Sequence, residues 1–319
     1  MHLELSEVLS SFEVLRDQAV EIISNLIKLK ALSPENGGRG EWRKAEYIQS
    51  LLDFADEIER FDAEDERAEK GIRPNIVARI RGRSRRTLWI ITHMDVVPAG
   101  DLSLWNTDPF QPVIKGGMIF GRGSEDNNQA ITSTLLAGRV LSEKRPELSF
   151  GMVFVSDEET GSEYGIKHIL KQKIFKRDDL LLVPDAGTPE GNAIEIAEKN
   201  ILWLKIKVFG EQGHASRPDL FVNASRRAMK ILLELDELLH ERFDSRDELF
   251  EPPHSTFEPT KREKNVDNPN TIPGVDVSYL DCRILPRYSN RDVIRFVRDF
   301  LSQKEREDGF PCELEVIQD

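Results

Sequence analysis

Apolar residues recur at helical spacing from Val8 to Lys30, where Val14, Leu15, Val20, Ile23, Leu26 and Ile27 form one face. Asn36 to Gly40 reads as a turn, and helical periodicity resumes from Trp42 to Phe54. The pattern then shifts to short extended runs, Ile76 to Ile80 and Thr87 to Thr92. The second is nearly all apolar, as a strand covered on both faces is. Residues 109–123 carry glycine turns around short extended pieces. Gln129 to Leu141 predicts a helix, Phe150 to Val155 a strand, Gly165 to Lys173 a helix and Leu180 to Val183 a strand. Strands alternating with helices predict an α/β domain with a mixed, largely parallel sheet flanked by helices.

A second pattern begins near residue 198. Leu202 to Phe209 predicts a strand, Asn223 to Phe243 a long helix, and a further extended stretch falls within 254–271. Asp276 to Leu285 predicts a strand, Asn290 to Gln303 a helix capped by Ser289, and Glu313 to Ile317 a last strand. That is the βαββαβ order of a ferredoxin-like unit, two helices on one face of an antiparallel sheet. With 319 residues to place, the expectation is two domains, 1–197 and 198–319.

Charge narrows the function. The net charge of −13 argues against non-specific nucleic-acid binding, because a polyanion is repelled. The short basic runs Arg81 to Arg86 and Lys261 to Lys264 sit between elements and read as solvated turns. Two cysteines, Cys282 and Cys312, with no CxxC pair, exclude a disulfide framework and a cysteine-rich zinc site and fit a reducing cytosol. The N-terminus lacks a basic region followed by an apolar core and cleavage site, and no apolar run approaches a membrane span. The expectation is a soluble cytoplasmic protein.

The chemistry concentrates in four motifs: ITHMDVVP at 91–98, GRGSED at 121–126, SDEETG at 156–161 and VPDAG at 183–187. In an open α/β sheet, sites form at the carboxyl ends of strands. His93, Glu158, Glu159 and Asp185 all follow apolar runs, and Asp126 precedes a helix. Any one acid alone reads as a solvated carboxylate; the set around a histidine from a buried strand reads as a site. Imidazole and carboxylate suit zinc or another borderline divalent ion. Two such ions about 3.5–4 Å apart need a bridging carboxylate and together activate water and clamp a carbonyl oxygen. Asp95, two residues beyond His93, is placed to accept the second ring N–H. The Glu158–Glu159 pair offers one carboxylate for metal and one left free as general base.

THMDVVP, LWNTDPFQP, GRGSED, DEETGS, PDAG, GEQGHASRP, NTIPG and LDCR together resemble the di-zinc aminoacylase family. That family includes succinyl-diaminopimelate desuccinylases, acetylornithine deacetylases and glutamate carboxypeptidases. The resemblance runs from about residue 20 to the C-terminus, in the family's order and spacing. It implies a zinc-peptidase-like catalytic domain, 1–197, and an inserted lid, 198–319, that often forms a homodimer contact. It implies two zinc ions per chain, with cobalt or manganese as alternatives. His93 and Asp185 would hold the first, Glu159 the second, and Asp126 would bridge both; the peptide bond after Asp126 would be cis. Glu158 would be the general base and Asp95 the group orienting His93. His214 would stabilise the oxyanion, and Asn270 and Arg283 would contact a small N-acyl amino acid or peptide substrate.

From the residues alone, His214 reads equally as a turn cap, Arg283 as a partner of Asp281, and Asn270 as ordinary turn chemistry. His2, His168, His240 and His254 match no motif. The resemblance also implies that the catalytic domain resumes after the lid, with closing sheet elements, a Gly-Gly-Thr-type loop and a last histidine for the second zinc. Asp319 follows the last lid strand directly, so the catalytic domain is expected to be incomplete and the second site to keep only Asp126 and Glu159. Three functions stand as expectations. The first is a zinc-dependent hydrolase of N-acyl amino acids, of desuccinylase or deacetylase type. The second is a metallo-carboxypeptidase or dipeptidase, and the third a truncated, weakly active or inactive protein whose lid still dimerises or binds ligand.

Overall fold

The computed structural model describes residues 5–188 and 191–319; His2 lies outside them. The chain divides into two compact units, Met1–Asn192 and Ala193–Asp319.

In the first unit, helices α1 (Leu5–Glu13), α2 (Arg16–Lys28) and α3 (Trp42–Ser50) precede strands β1 (Glu57–Arg60), β2 (Ala63–Glu64), β3 (Ile72–Arg73), β4 (Ile76–Ile80) and β5 (Thr87–His93). A hairpin of β6 (Val113–Lys115) and β7 (Met118–Phe120) leads to α4 (Asn128–Lys144), β8 (Ser149–Val155), α5 (Ile166–Lys171) and β9 (Leu180–Leu182). The main sheet runs β1-β4-β8-β5-β9. It is mixed, as expected, but parallel only around β5, which pairs parallel with β8 and β9. The β1–β4 and β4–β8 pairings are antiparallel.

Strand periodicity of two divides the core. Ile76, Ala78, Ile80, Ile90, Phe150, Met152 and Phe154 face α2, α3 and α4. Val77, Trp89, Ile91, Val153 and Val155 face Ile169 of α5 on the other side. Trp89 lies across β8 only because residue 151 is glycine: a Cβ there would meet the indole ring at 2.0 Å. Asp179 accepts hydrogen bonds from Thr87 N and Trp89 Nε1, at 2.9 Å each, and so sets where β9 docks on β5.

The helix expected over Val8 to Lys30 is two helices. Leu15 N bonds to Phe12 O at 3.0 Å, a tight turn that rotates the apolar stripe. Leu15 then packs on the core while Val14, expected on the buried face, is 81% exposed.

The second unit holds β10 (Asn200–Phe209), β11 (Gly213–His214), α6 (Ala224–Arg242), β12 (Thr256–Arg262), β13 (Thr271–Ile272), β14 (Val275–Ile284), α7 (Asn290–Asp308) and β15 (Cys312–Gln318). Its antiparallel sheet runs β12-β14-β10-β15, the ferredoxin-like order, with α6 and α7 packed over Leu202, Leu204, Ile206 and Leu280. The helices start where side chains satisfy orphan N–H groups: Asn223 accepts from Arg226 N and Ser289 from Asp292 N. Among the described residues no helix is long and apolar enough to cross a membrane, and both cysteines are free.

Candidate metal centre

β5 ends at His93, which is 3% exposed. Its Nδ1 lies 3.1 Å from the Asp95 carbonyl oxygen, which can only accept, so Nδ1 carries a proton and Nε2 is the ring nitrogen that faces the site. Nε2 points into carboxylates and, with no metal between them, donates its proton to Asp126. Asp126 Oδ1 is 2.8 Å away, Asp185 Oδ1 3.3 Å and Glu158 Oε2 4.0 Å. Asp126 comes from the loop before α4, Asp185 from the end of β9, and Glu158 with Glu159 from the turn after β8. The expected convergence at the carboxyl ends of β5, β8 and β9 is therefore present in the geometry.

Electrostatics mark the seat as one for a cation. Burial works to lower the His93 pKa, yet hydrogen bonds to Asp126, Asp185 and Asp95 override it and raise it to about 12. Burial and the neighbouring Asp126 charge push Glu159 up to about 7, and Glu159 Oε1 is buried with no hydrogen-bond partner. Burial, reinforced by Asp185, Asp95 and Asp126, raises Glu158 too, against the pull of His93. His93 holds Asp185 below its ordinary value. Two groups gather ligand atoms within 4.8 Å of one another: His93 with Glu158 and Asp185, and His93 with Asp126 and Glu159. One imidazole, four carboxylates and an orphaned buried oxygen fit divalent metal. His93, Asp126, Asp185 and Glu159 would hold it.

The supports go beyond expectation in one respect. Asp95 was expected to accept the second ring N–H of His93; its carbonyl oxygen lies 3.1 Å and its carboxylate Oδ1 3.5 Å from Nδ1, and the carboxylate has a second task as well. It is turned to the next loop, where its two oxygens accept from Glu158 N and Glu159 N at 3.0 Å each. Burial opposes the Asp95 charge, but His93 and those two amides keep its pKa below the usual carboxylate value.

Sequence reasoning passed over the residues behind this layer. Asn127, joined to Asp126 by a cis peptide bond, donates to the Asp185 carboxylate. Its only sequence signal was adjacency to Asp126. Gly123 allows the loop to close on β5, since its φ is +75° and a Cβ would meet Val96 Cγ1 at 2.6 Å. Lys44, 1% exposed in α3, donates to Asn128 Oδ1 at 3.0 Å. Complete burial pushes its ammonium down from 10.5 to about 8, against the pull of Asp95 and Glu41. Between those values the unfolded chain keeps a proton that the folded one has lost, so metal-free protein gains stability as pH rises from 8 to 10.5. Denaturant unfolding in chelator should show Lys44→Met lacking roughly 3 kcal/mol of that rise. An equal rise in both proteins would contradict the assignment.

The second unit brings two expected residues together. His214 pairs with Thr271 across β11 and β13, and Ala215 N bonds to Asn270 O at 2.8 Å. His214 Nδ1 accepts from Ser216 N at 3.2 Å, which leaves Nε2 as the donor of this exposed ring. The turn-cap reading and a donor role thus coexist. Arg283 stands elsewhere: it lies near the end of β14 that pairs with Asn200 and Ile201, whereas β13 adjoins the other end at Val275. Its Nε and Nη2 are held by Asp281 at 2.7 and 3.1 Å. The structure does not bring it to His214 and Asn270.

Comparison with known proteins follows this geometry. Residues 196–309 match the family described as the M20 peptidase dimerisation domain. An uncharacterized metallohydrolase of Methanocaldococcus jannaschii is 44% identical over 302 residues, covering 91% of this chain and 73% of the relative. A succinyl-diaminopimelate desuccinylase of Buchnera aphidicola is 29% identical over 89% of this chain and 73% of its own. Among solved structures, an M20-family metallo-carboxypeptidase from Sulfolobus solfataricus superposes with a TM-score of 0.69 at 19% identity, over 93% of this chain and 77% of that one. A dinuclear metal-binding M20 peptidase from Bacillus subtilis gives 0.58 at 14% identity, over 95% and 74%. At such identities the structural likeness speaks to fold.

Proposed function

The chain belongs to the M20 family of metallohydrolases, and on that premise we propose that it hydrolyses the amide bond of N-acylated amino acids. The observation that carries the reading is His93 Nε2 set among Asp126, Asp185 and Glu158, with Glu159 Oε1 unpartnered beside them. Zinc suits this donor set. A bound divalent ion supplies Lewis acidity, polarising the amide carbonyl and lowering the pKa of water.

The chain's own groups do the rest. Glu158, with its pKa raised and its side chain 44% exposed, takes a proton from the attacking water. As the water oxygen bonds to the carbonyl carbon and the C–N bond breaks, Glu158 returns that proton to the leaving amine. Asp95 holds the Glu158 backbone amide through this exchange. His214 is assigned as a donor, through Nε2–H, to the oxygen on which negative charge builds. Asn270 is assigned to the substrate's polar groups; Arg283, engaged by Asp281, is not needed by this reading. The match over 196–309 supports a homodimer through the second unit.

Relatives named as succinyl-diaminopimelate desuccinylases favour an N-succinyl substrate; cleavage of a peptide, as by a carboxypeptidase or dipeptidase, is the second reading. The test is hydrolysis of a panel of N-succinyl and N-acetyl amino acids and dipeptides, with added zinc, cobalt or manganese. Turnover of an acyl amino acid at least tenfold above any dipeptide is expected. The reverse order installs the peptidase reading, and no metal-dependent cleavage of either class overturns the assignment.

A further inference from the structure

The turn that presents Glu158 and Glu159 is closed at its neck by residues from a different part of the chain. We propose that Asn75, supported by Arg73, is a positioning residue of the metal centre, fixing the 156–164 loop so that both glutamates face His93.

Asn75 is fully buried between β3 and β4. Its Oδ1 accepts from Ser156 N at 3.1 Å, where the loop begins. Its Nδ2 donates to Tyr164 O at 2.8 Å, where the loop ends, and to Phe61 O at 2.9 Å. A single amide thus spans entry and exit. Next to it, Pro74 O accepts from Ser156 Oγ at 2.6 Å. Arg73, also fully buried, has Nη2 3.5 Å from Asp157 Oδ1 and its guanidinium 5.5 Å from the Tyr164 ring centroid.

Inside the neck, Asp157 adopts a φ of +66°, in the left-handed region that non-glycine residues rarely occupy. It is kept there by its own contacts: its carboxylate accepts from Tyr164 N at 3.0 Å and from Thr160 Oγ1, and its carbonyl accepts from Ser162 N at 2.6 Å. On the metal side the two amides of Glu158 and Glu159 are bound by Asp95. The loop is therefore gripped from behind by Asn75 and Arg73 and in front by Asp95. Neither Asn75 nor Arg73 reaches a ligand atom, so their effect passes through the turn. Buried groups that orient ligands in this way typically change metal affinity about 10–100-fold when removed.

The inference rests on the metallohydrolase reading, and a double-mutant cycle separates the two. Zinc affinity is measured on metal-stripped full-length protein by chelator competition for the wild type, Asn75→Leu, Glu159→Gln and the double variant, well below each protein's Tm. Asn75→Leu is expected to weaken zinc about tenfold, and to weaken it no further than about twofold in the Glu159→Gln background. Asn75→Ser, a smaller change at the same site, is measured in parallel should the leucine variant fail to fold, with a loss in the same direction. A lowered Tm with unchanged zinc affinity, or equal losses in both backgrounds, assigns Asn75 a merely structural role and overturns the inference alone. Wild-type protein whose zinc uptake does not depend on Glu159 overturns the reading beneath it.

Discussion

Glu158→Gln is expected to lower kcat about 10³-fold while zinc stoichiometry stays at the wild-type value. The substitution keeps the side chain's shape and removes only its ability to take up and release a proton. Glu158 Oε2 lies 4.0 Å from His93 Nε2, farther than the Asp126 and Asp185 oxygens at 2.8 and 3.3 Å. Of the paired glutamates it is Glu158 whose side chain is open, 44% exposed, while Glu159 Oε1 is buried, so Glu158 is the one free for proton transfer. Single-turnover hydrolysis beside metal analysis checks both halves. Retained turnover would remove Glu158 from the chemistry, whereas lost metal would make it a ligand instead.

Arg73→Met should cost about 3–5 kcal/mol of stability, among the largest losses available outside the apolar core. Arg73 is bonded through Nε and Nη2 to both Glu41 oxygens at 2.8 and 2.6 Å, and all four atoms are out of water. Burial raises the Glu41 pKa even with Arg73 present, its hydrogen bond and charge only partly restraining the rise. Removing the cation strands Glu41 and takes the guanidinium 3.5 Å from Asp157 away, while Asp65, also 3.5 Å from it, keeps Arg67 at 2.8 Å. Adding Glu41→Leu removes the stranded partner and should recover at least half the loss, because a buried pair deleted whole is close to neutral. Urea unfolding of the three proteins in chelator measures this. A double variant less stable than Arg73→Met alone would show that Glu41 contributes through other contacts.

The sequence made the elements legible where one signal dominated. Runs such as Thr87 to Thr92 and Phe150 to Val155 have few competing readings, and the second unit's βαββαβ order matches the observed β12-β14-β10-β15 sheet. The break at Val14–Leu15 escaped because a two-residue interruption leaves apolar spacing nearly unchanged while rotating the face. The two-residue strands β11 and β13 escaped because they are too short to show alternation, although they bring His214 beside Asn270. At the site, the metal-facing residues were readable as acids after strands. Lys44, Arg73 and Asn75 were not, because a lone lysine, arginine or asparagine in a polar context signals solvent; only the folded chain buries all three. Asp95 was found for its place beside His93; its second task, holding the Glu158 and Glu159 amides, was not legible because those lie more than 60 residues away along the chain.

The contacts that make the metal centre also say when it can exist during folding. His93 and Asp126 are 33 residues apart, Asp95 and Glu158 63, and Asn75 and Tyr164 89. Each closure carries loop entropy that must be met before any ligand geometry is available. No short peptide of this chain holds more than a fragment of the cradle. The centre is a product of folding rather than its seed.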